Sequence, residues 1–377
     1  SSAPESKPAL SSAEQTSSAP EQSSTPESKP EESSVPENKN EVDWDSVPYA
    51  DELDFEVVDV DGGVKITNYL GSDTVIKIPE TIDGKKVVAV TKRDKNDVEL
   101  YPNFGTNYKV FNDKVTHVKL PDSVSDITHT FRGHSSLVSV NIPSSLTIIS
   151  ECAFYGCTAI SSIEIPNTVT EIGYMAFAGS GLESLTVPDS VKAFDGSMIS
   201  GCAKLKEVNL PQGIRVSSSY SYDPYFSKSK VVLIDLNFCA GLTNTDFLKN
   251  VKPSDAPDIT LFAVSFGDCS SLTSITYPEG IECIETFGGC TSLTEITIPN
   301  SVTRVGYTEK PGDTDGEYGT LGVGGFGSNN PKKITLSDNI EKLDSITLFS
   351  EDTEIVYKGK TYKSNQLPNL YKAINGE

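Results

Sequence analysis

Histidine is nearly absent from this sequence: His117, His129 and His134 are the three in 377 residues. A metal centre needs several convergent donors, yet these fall in one irregular stretch, on an expected strand, turn and corner, so no metal site is expected. Cysteines number seven, and no two have Cys-x-x-Cys spacing, which argues against zinc. Positive charge is short as well, with 31 Lys and Arg against 53 Asp and Glu and a net charge of −22. A field of that sign repels phosphate backbones and anionic lipid, which disfavours nucleic acid as a partner. No apolar run reaches the roughly 18 residues that a membrane-spanning helix needs.

Apolar residues are scarcest at the start. Residues 1–42 hold twelve Ser, eight Glu and six Pro, no aromatic residue, and only Leu10, Val35 and Val42 as apolar side chains larger than Ala. Such a segment cannot bury enough surface to offset its ordering entropy, so a disordered spacer is expected over 1–44. If flexible it would span about 35 Å, and about 130 Å if polyproline-like. Its SSAPE and STPESKPEESS stretches read as a cell-surface spacer. The sequence opens on Ser rather than Met. The expectation is a chain trimmed of a secretion signal, with a lipid-bearing Cys upstream.

What the sequence has in abundance is repetition. LVSVNIPSSLTIISECAFYGCTA from Leu137 is followed by ISSIEIPNTVTEIGYMAFAGSG from Ile160. Further copies are VTHVKLPDSVSDI from Val115, LESLTVPDSVKAF from Leu182, LKEVNLPQGIRV from Leu205, LTSITYPEGIECI from Leu272 and LTEITIPNSVTRV from Leu293. Looser copies are TVIKIPETI near Ile78, VVLIDLN near Val231 and KITLSDNI near Ile334. The second half of the unit reads AFYGC, AFAGS, SFGDC or TFGGC. Complete units run 21 to 23 residues, a period that signals stacked rungs forming a solenoid.

One rung explains its own residues. After the leading Leu or Ile, apolar and polar residues alternate, giving a short parallel strand with one buried face. Pro ends that strand because it has no N–H for the next ladder. The apolar pair of V-T-x-I starts a second buried run, Phe fills the interior, and Gly turns the chain toward the next rung. A rung alone exposes its apolar side, and stacking buries it.

These residues resemble the BspA-type leucine-rich repeat family, whose rung reads roughly L-xx-I-x-IP-xx-V-xx-I-xxx-AF-x-GC, over about Val64 to Glu377. The resemblance implies a mainly β, right-handed leucine-rich repeat superhelix of short parallel strands. The expected organisation is a hairpin, capping segment and irregular first rung over 45–114, repeats over 115–350 and a C-terminal cap over 351–377. FEVVDVDGGVKIT is read as the hairpin, turning at Asp61-Gly62. The resemblance further implies a non-catalytic adhesion or ligand-binding protein on a bacterial cell surface, facing an extracellular protein or glycan, host-derived partners included. The alternative is a carbohydrate-binding or scaffolding module of a surface complex. No cofactor is implied.

The same rung alignment places the side chains that could carry chemistry. Cys157, Cys202, Cys269 and Cys290 share an inward column and read as buried thiols. Cys157 and Cys202, two rungs or about 10 Å apart, are too far to bridge. Cys269 and Cys290, one rung apart, leave a disulfide open. Carboxylates on the outward strand positions are sparse: Glu164 and Glu207 would lie about 12 Å apart, beyond a glycosidase pair. With VVLIDLN taken as a first strand, Glu207 and Asp235 would fall near 8 Å, yet nothing would desolvate either acid. Asp313, Asp315 and Glu317 in PGDTDGEYG lack the remaining ligands of a calcium loop and read as solvated.

Three insertions break the period, over 217–230, 240–261 and 307–331. The first, SSSYSYDPYFSKSK, sets Tyr220, Tyr222, Tyr225 and Phe226 among serines. That composition gives large contact area at low entropic cost, and these four are the expected binding residues. The equally available reading is that some of the rings cover apolar core where the rung breaks.

Overall fold

The computed structural model describes residues 42–93, 108–217, 231–253, 261–284, 286–305, 331–343 and 352–376. The compact unit begins at Val42 and ends at Glu377. Residues 1–41, which carry nearly all of the expected spacer, lie outside the described residues.

The chain enters through a hairpin of β1 (Phe55–Val60) and β2 (Gly63–Tyr69), antiparallel across the Asp61-Gly62 turn. β5 (Lys85–Val90) lies parallel to β2, and β4 (Thr81–Ile82) pairs antiparallel with β5. The residues just before the hairpin are tied down too: Lys77 Nζ donates to the Trp44 carbonyl at 2.7 Å. From there the rungs build two series of parallel strands.

The first series comes from the L-xx-I-x-IP half of each rung. It contains β3 (Val75–Lys77), β6 (His117–Lys119) and β7 (Ser139–Val140), then β10 (Ser184–Thr186) and β12 (Glu207–Asn209). It resumes with β18 (Glu295–Thr297), β20 (Lys333–Thr335) and β22 (Glu354–Tyr357). β23 (Lys360–Tyr362) turns back antiparallel on β22, and α1 (Leu367–Asn375) follows. The alternation predicted for these strands is observed: Leu185 and Val208 are buried between exposed neighbours. Two expected strands are not formed, at Ser161–Ile165 and Thr273–Tyr277.

The second series comes from V-T-x-I. β8 (Ile148–Ile149), β9 (Glu171–Ile172), β11 (Ala193–Asp195), β13 (Ile214–Ser217) and β15 (Val251–Pro253) form one parallel sheet. β14 (Val231–Asp235), β16 (Leu261–Ser265), β17 (Cys283–Ile284), β19 (Arg304–Val305) and β21 (Lys342–Leu343) form another. VVLIDLN was expected as a first-series strand. It is instead β14, in the second series, because its five residues pair with Leu261–Ser265.

Between the sheets the interior is a ladder. Phe111, Phe131, Phe154 and Phe177 stack in consecutive rungs with ring centroids 5.5 to 5.6 Å apart and planes within 6°. Phe266 and Phe287 continue it at 5.4 Å. By register Ile199 and Leu236, both buried, hold the two positions between Phe177 and Phe266. Each aromatic step adds about 0.5–1.5 kcal/mol beyond the area it buries. No helix among the described residues is long and apolar enough to cross a membrane.

Candidate functional site

The interior columns carry polar atoms as well as rings, and their chemistry is hydrogen bonding. Cys157 Sγ donates to the Phe131 carbonyl at 3.0 Å, Cys202 to Phe177 at 3.1 Å and Cys269 to Leu236 at 3.1 Å. Cys290 donates to Phe266 at 2.9 Å. Cys239 belongs to the same column and donates to Ile199 at 3.2 Å. The repeat pattern does not reveal it because its rung has neither the Phe nor the Gly that marks the column, with Leu236 and Phe238 in their places; the signal is the leucine spacing of LNFCAGL. Each thiol thus satisfies a carbonyl of the rung before it. Burial pushes the Cys157 thiol up to about 12 and raises Cys202 and Cys239, and Cys269 is raised first by its hydrogen bond with Cys290 and then by burial. All seven cysteines are free, Cys269 and Cys290 included.

The histidines divide between surface and interior. His117 lies on β6, while His129 and His134 are buried. His134 occupies the cysteine column one rung earlier and its Nε2 lies 2.9 Å from the Val115 carbonyl, so the ring donates there. His129 stacks on Tyr108 at 5.2 Å, and its Nε2 faces Arg93 at 3.1 Å. Burial, with Arg132 and Arg93 nearby, lowers its pKa to about 3 and keeps it neutral. Among the described residues no three His, Cys, Asp or Glu converge as metal ligands. The PGDTDGEYG acids lie outside the described residues.

The pairing of Glu207 with Asp235 does not occur. Glu207 is exposed on β12, whereas Asp235 ends β14 in the other series, where its carboxylate accepts Ser200 Oγ at 3.0 Å and the Asn237 N–H at 2.9 Å. Asp235 is half-buried, and its desolvation raises its pKa against those hydrogen bonds. It is a structural acceptor at a rung corner. Glu164 sits in the Ser161–Ile165 stretch that forms no strand.

The repeat departs most from its own pattern between Leu205 and Leu272. Two successive rungs there carry two second-series strands apiece, β13 with β14 and β15 with β16. β13 pairs with β15, placing Val216 beside Pro253, and β14 pairs with β16, placing Val231 beside Leu261. The connections 218–230 and 254–260 therefore leave and rejoin the sheets at neighbouring points. Leu233, Ala263 and Cys283 form a second buried apolar cluster here, distinct from the main core. Tyr220, Tyr222, Tyr225 and Phe226 lie in the first connection, outside the described residues. The expected insertion at 240–261 is largely ordered backbone: a 3-10 turn at Asp246–Asn250, β15 and the start of β16. Most of the third insertion, 306–330, is outside the described residues.

The comparisons with known proteins agree with this architecture. Residues 127–250 and 259–308 match the BspA type leucine rich repeat region in six copies. A leucine-rich repeat protein from Bacteroides ovatus is 21% identical, with 82% of this chain and 78% of that one covered at a TM-score of 0.50. A leucine rich repeat protein of T. pallidum is 21% identical over 65% of this chain and 91% of its own, at 0.39. A leucine rich cell surface protein from Faecalibacterium prausnitzii is 16% identical over 87% and 98%, at 0.35. At this identity the Bacteroides likeness concerns the fold. A search of curated protein sequences finds no significant match. The rungs, their Ile-Pro strands and their Phe and Cys columns make the repeat region of this chain a member of the BspA-type leucine-rich repeat family.

Proposed function

We propose that the chain is a non-catalytic recognition protein of a bacterial cell surface, a right-handed solenoid that binds an extracellular macromolecule. The observation that carries this reading is the pairing of the two expanded rungs. The frame needs no extra strands to bury its core, since the rungs before Leu205 manage with one second-series strand each. β13 with β15 and β14 with β16 nevertheless bring the ends of two non-repeating connections together. Loops set side by side on a rigid scaffold are where recognition residues concentrate. The Tyr-rich connection is the proposed contact, with Tyr220, Tyr222 and Tyr225 as anchors and Phe226 beside them. The partner is an extracellular protein, and the Ser/Glu/Pro-rich residues 1–44 serve as a spacer that holds the solenoid away from the cell surface.

The test is an array of extracellular proteins and glycans probed with the full chain. Binding to a protein spot that survives competing sugars and weakens in Tyr220→Ala, Tyr222→Ala and Tyr225→Ala supports the reading. Loss of binding in Thr186→Ala on the strand face, with the Tyr variants unchanged, moves the site to the sheet. Binding to glycans alone rejects a protein partner.

A further inference from the structure

Among the described residues the first series is interrupted at more than one rung, and beside β12 the interruption comes with a cavity. In neighbouring rungs the residue after the leading Leu donates its N–H to the rung before: Lys206 to Glu183 at 2.9 Å, and Thr273 to Thr243 at 2.9 Å. Thr243 breaks the series, since among the described residues no backbone bond joins it to Lys206. The departure is abrupt. Just before it, Gly241 packs so closely that a Cβ would lie 2.7 Å from the Leu205 carbonyl oxygen.

Residues 243–250 lean the other way. Asn244 Oδ1 accepts the Asp246 N–H at 3.1 Å and starts the 3-10 turn. Thr245 Oγ1 donates to the Thr276 carbonyl at 2.8 Å and accepts the Thr276 N–H at 2.9 Å. A buried side chain thus substitutes for a strand toward the following rung. The chain returns at Asn250, whose Nδ2 donates to the Leu210 carbonyl at 2.8 Å while its own carbonyl accepts the Gly213 N–H at 2.7 Å. Between departure and return lies a cavity of about 270 Å³. Val208, Leu242 and Phe247 form its apolar floor, and Glu207, Asn209 and Lys249 its polar rim. β12 pairs with β10 on one side, and no strand pairs with its other edge among the described residues.

We propose that this slot accepts a short extended segment of a partner polypeptide, which pairs with the free edge of β12 as an added strand. The proposal deepens the recognition reading above and rests on it. An unpaired strand edge offers main-chain hydrogen bonds to any extended chain, while side-chain pockets supply selectivity. Three residues of strand span about 10 Å, which suits the three residues of β12. Val208 faces inward between outward Glu207 and Asn209. The incoming segment therefore places an apolar side chain over Val208 and Phe247, with polar residues on either side. The chain's net charge of −22 selects for basic residues among them. A sugar is the poorer fit, because Phe247, the aromatic residue lining the cavity, is buried and presents no open ring face.

The experiment pans the full chain against a display library of unstructured peptides of about a dozen residues, long enough to cover one strand edge with flanks. Enriched peptides are synthesised, plain and with alternate backbone amides N-methylated, and titrated against wild type, Asn209→Trp and Tyr220→Ala. Thermal melts confirm that each variant folds. The expected result is a peptide with a basic–apolar–polar core whose affinity drops about tenfold or more on N-methylation, the loss of one or two hydrogen bonds. The same peptide weakens in Asn209→Trp, which fills the slot, and is unchanged in Tyr220→Ala. Failure to enrich any peptide overturns the proposal, as does binding indifferent to both Asn209→Trp and N-methylation. Peptides that depend on Tyr220 alone leave protein recognition standing and remove the slot. A glycan displaced by Asn209→Trp assigns the slot to sugar and removes the peptide.

Discussion

The rungs from Leu137 to Leu205 and those from Leu205 to Leu272 share an interior and differ on the outside. In the first group Phe154 and Phe177 stack face to face, and Cys157 and Cys202 cap the carbonyls of the preceding rung. In the second, Leu236 takes the ring's place, yet Cys239 and Cys269 keep the same bonds. The outer columns change more. Gly156, Gly179 and Gly201 turn the earlier corners with φ of 66 to 74°, while Phe238 adopts φ of 62° in the same column and is 60% exposed. Second-series strands double, and a first-series strand becomes a 3-10 turn. The interior admits little change because a ladder transmits every misfit to both neighbours. Departures from the repeat accumulate where one rung can change without moving the next.

The largest test of that contrast is a cavity in the regular part. Phe177→Ala should cost about 3–5 kcal/mol, since neighbouring rungs cannot collapse into the space. Leu236→Ala, in the expanded part, should fall nearer 2–3 kcal/mol within the usual leucine range. Denaturant unfolding gives both values, and equal losses would mean that the two interiors pack alike.

Titration separates the regions by pH. His129 and His134 have lowered pKa values in the folded state, chiefly through burial. The unfolded chain therefore binds more protons below about pH 6.5, and stability should fall as pH drops from there toward 3. The thiols act oppositely. Their folded values are raised, so stability is complete below about pH 9 and should decline above it. His134→Cys should flatten the acid limb and, by adding a buried thiol to the column, steepen the alkaline one. Unfolding midpoints across pH check both signs, and an acid limb unaffected by His134→Cys would place its origin elsewhere.

A smaller effect belongs to the expanded rungs alone. Thr245→Val removes the hydroxyl that satisfies both backbone groups of Thr276, at a cost of about 1–3 kcal/mol. Cys202→Ala should lose less, because the Phe177 carbonyl still accepts the Ser180 N–H, and Cys202→Ser, which keeps a donor, should lose less again. The smallest change is a gain. Phe238→Gly relieves a left-handed backbone strained by about 1–2 kcal/mol. Part of that is offset by the freedom Gly adds to the unfolded chain, leaving about 0.5–1 kcal/mol. Thermal melts of Phe238→Gly against the wild-type chain would show whether this corner prefers Gly.

Most of the regular frame was legible because each rung repeats one physical instruction. Alternation around Leu185 and Val208, Pro after the strand and Phe154 followed by Cys157 could be read from spacing alone. Asp235 was misplaced for the same reason. VVLIDLN alternates like a first-series strand, and alternation does not say which sheet a strand joins. Only the pairing of Val231–Asp235 with Leu261–Ser265 decides that, and it half-buries an acid expected at the surface. Cys239 is not legible in the repeat because Leu236 and Phe238 replace both the Phe and the Gly that mark its column.

The sequence by itself determined the period, the buried columns and the acidic, nearly histidine-free composition, because these depend on residues close together along the chain. Tertiary structure decided what lies between distant residues: the doubled strands, the neighbouring roots of the two connections and the slot beside β12. LTNTDFLKN reads equally well as a long loop or a distorted strand. Its course follows from Thr245 bonding to Thr276 in the next rung rather than to Lys206 in the last. A contact 31 residues away along the chain settles that choice, and local propensity carries no record of it.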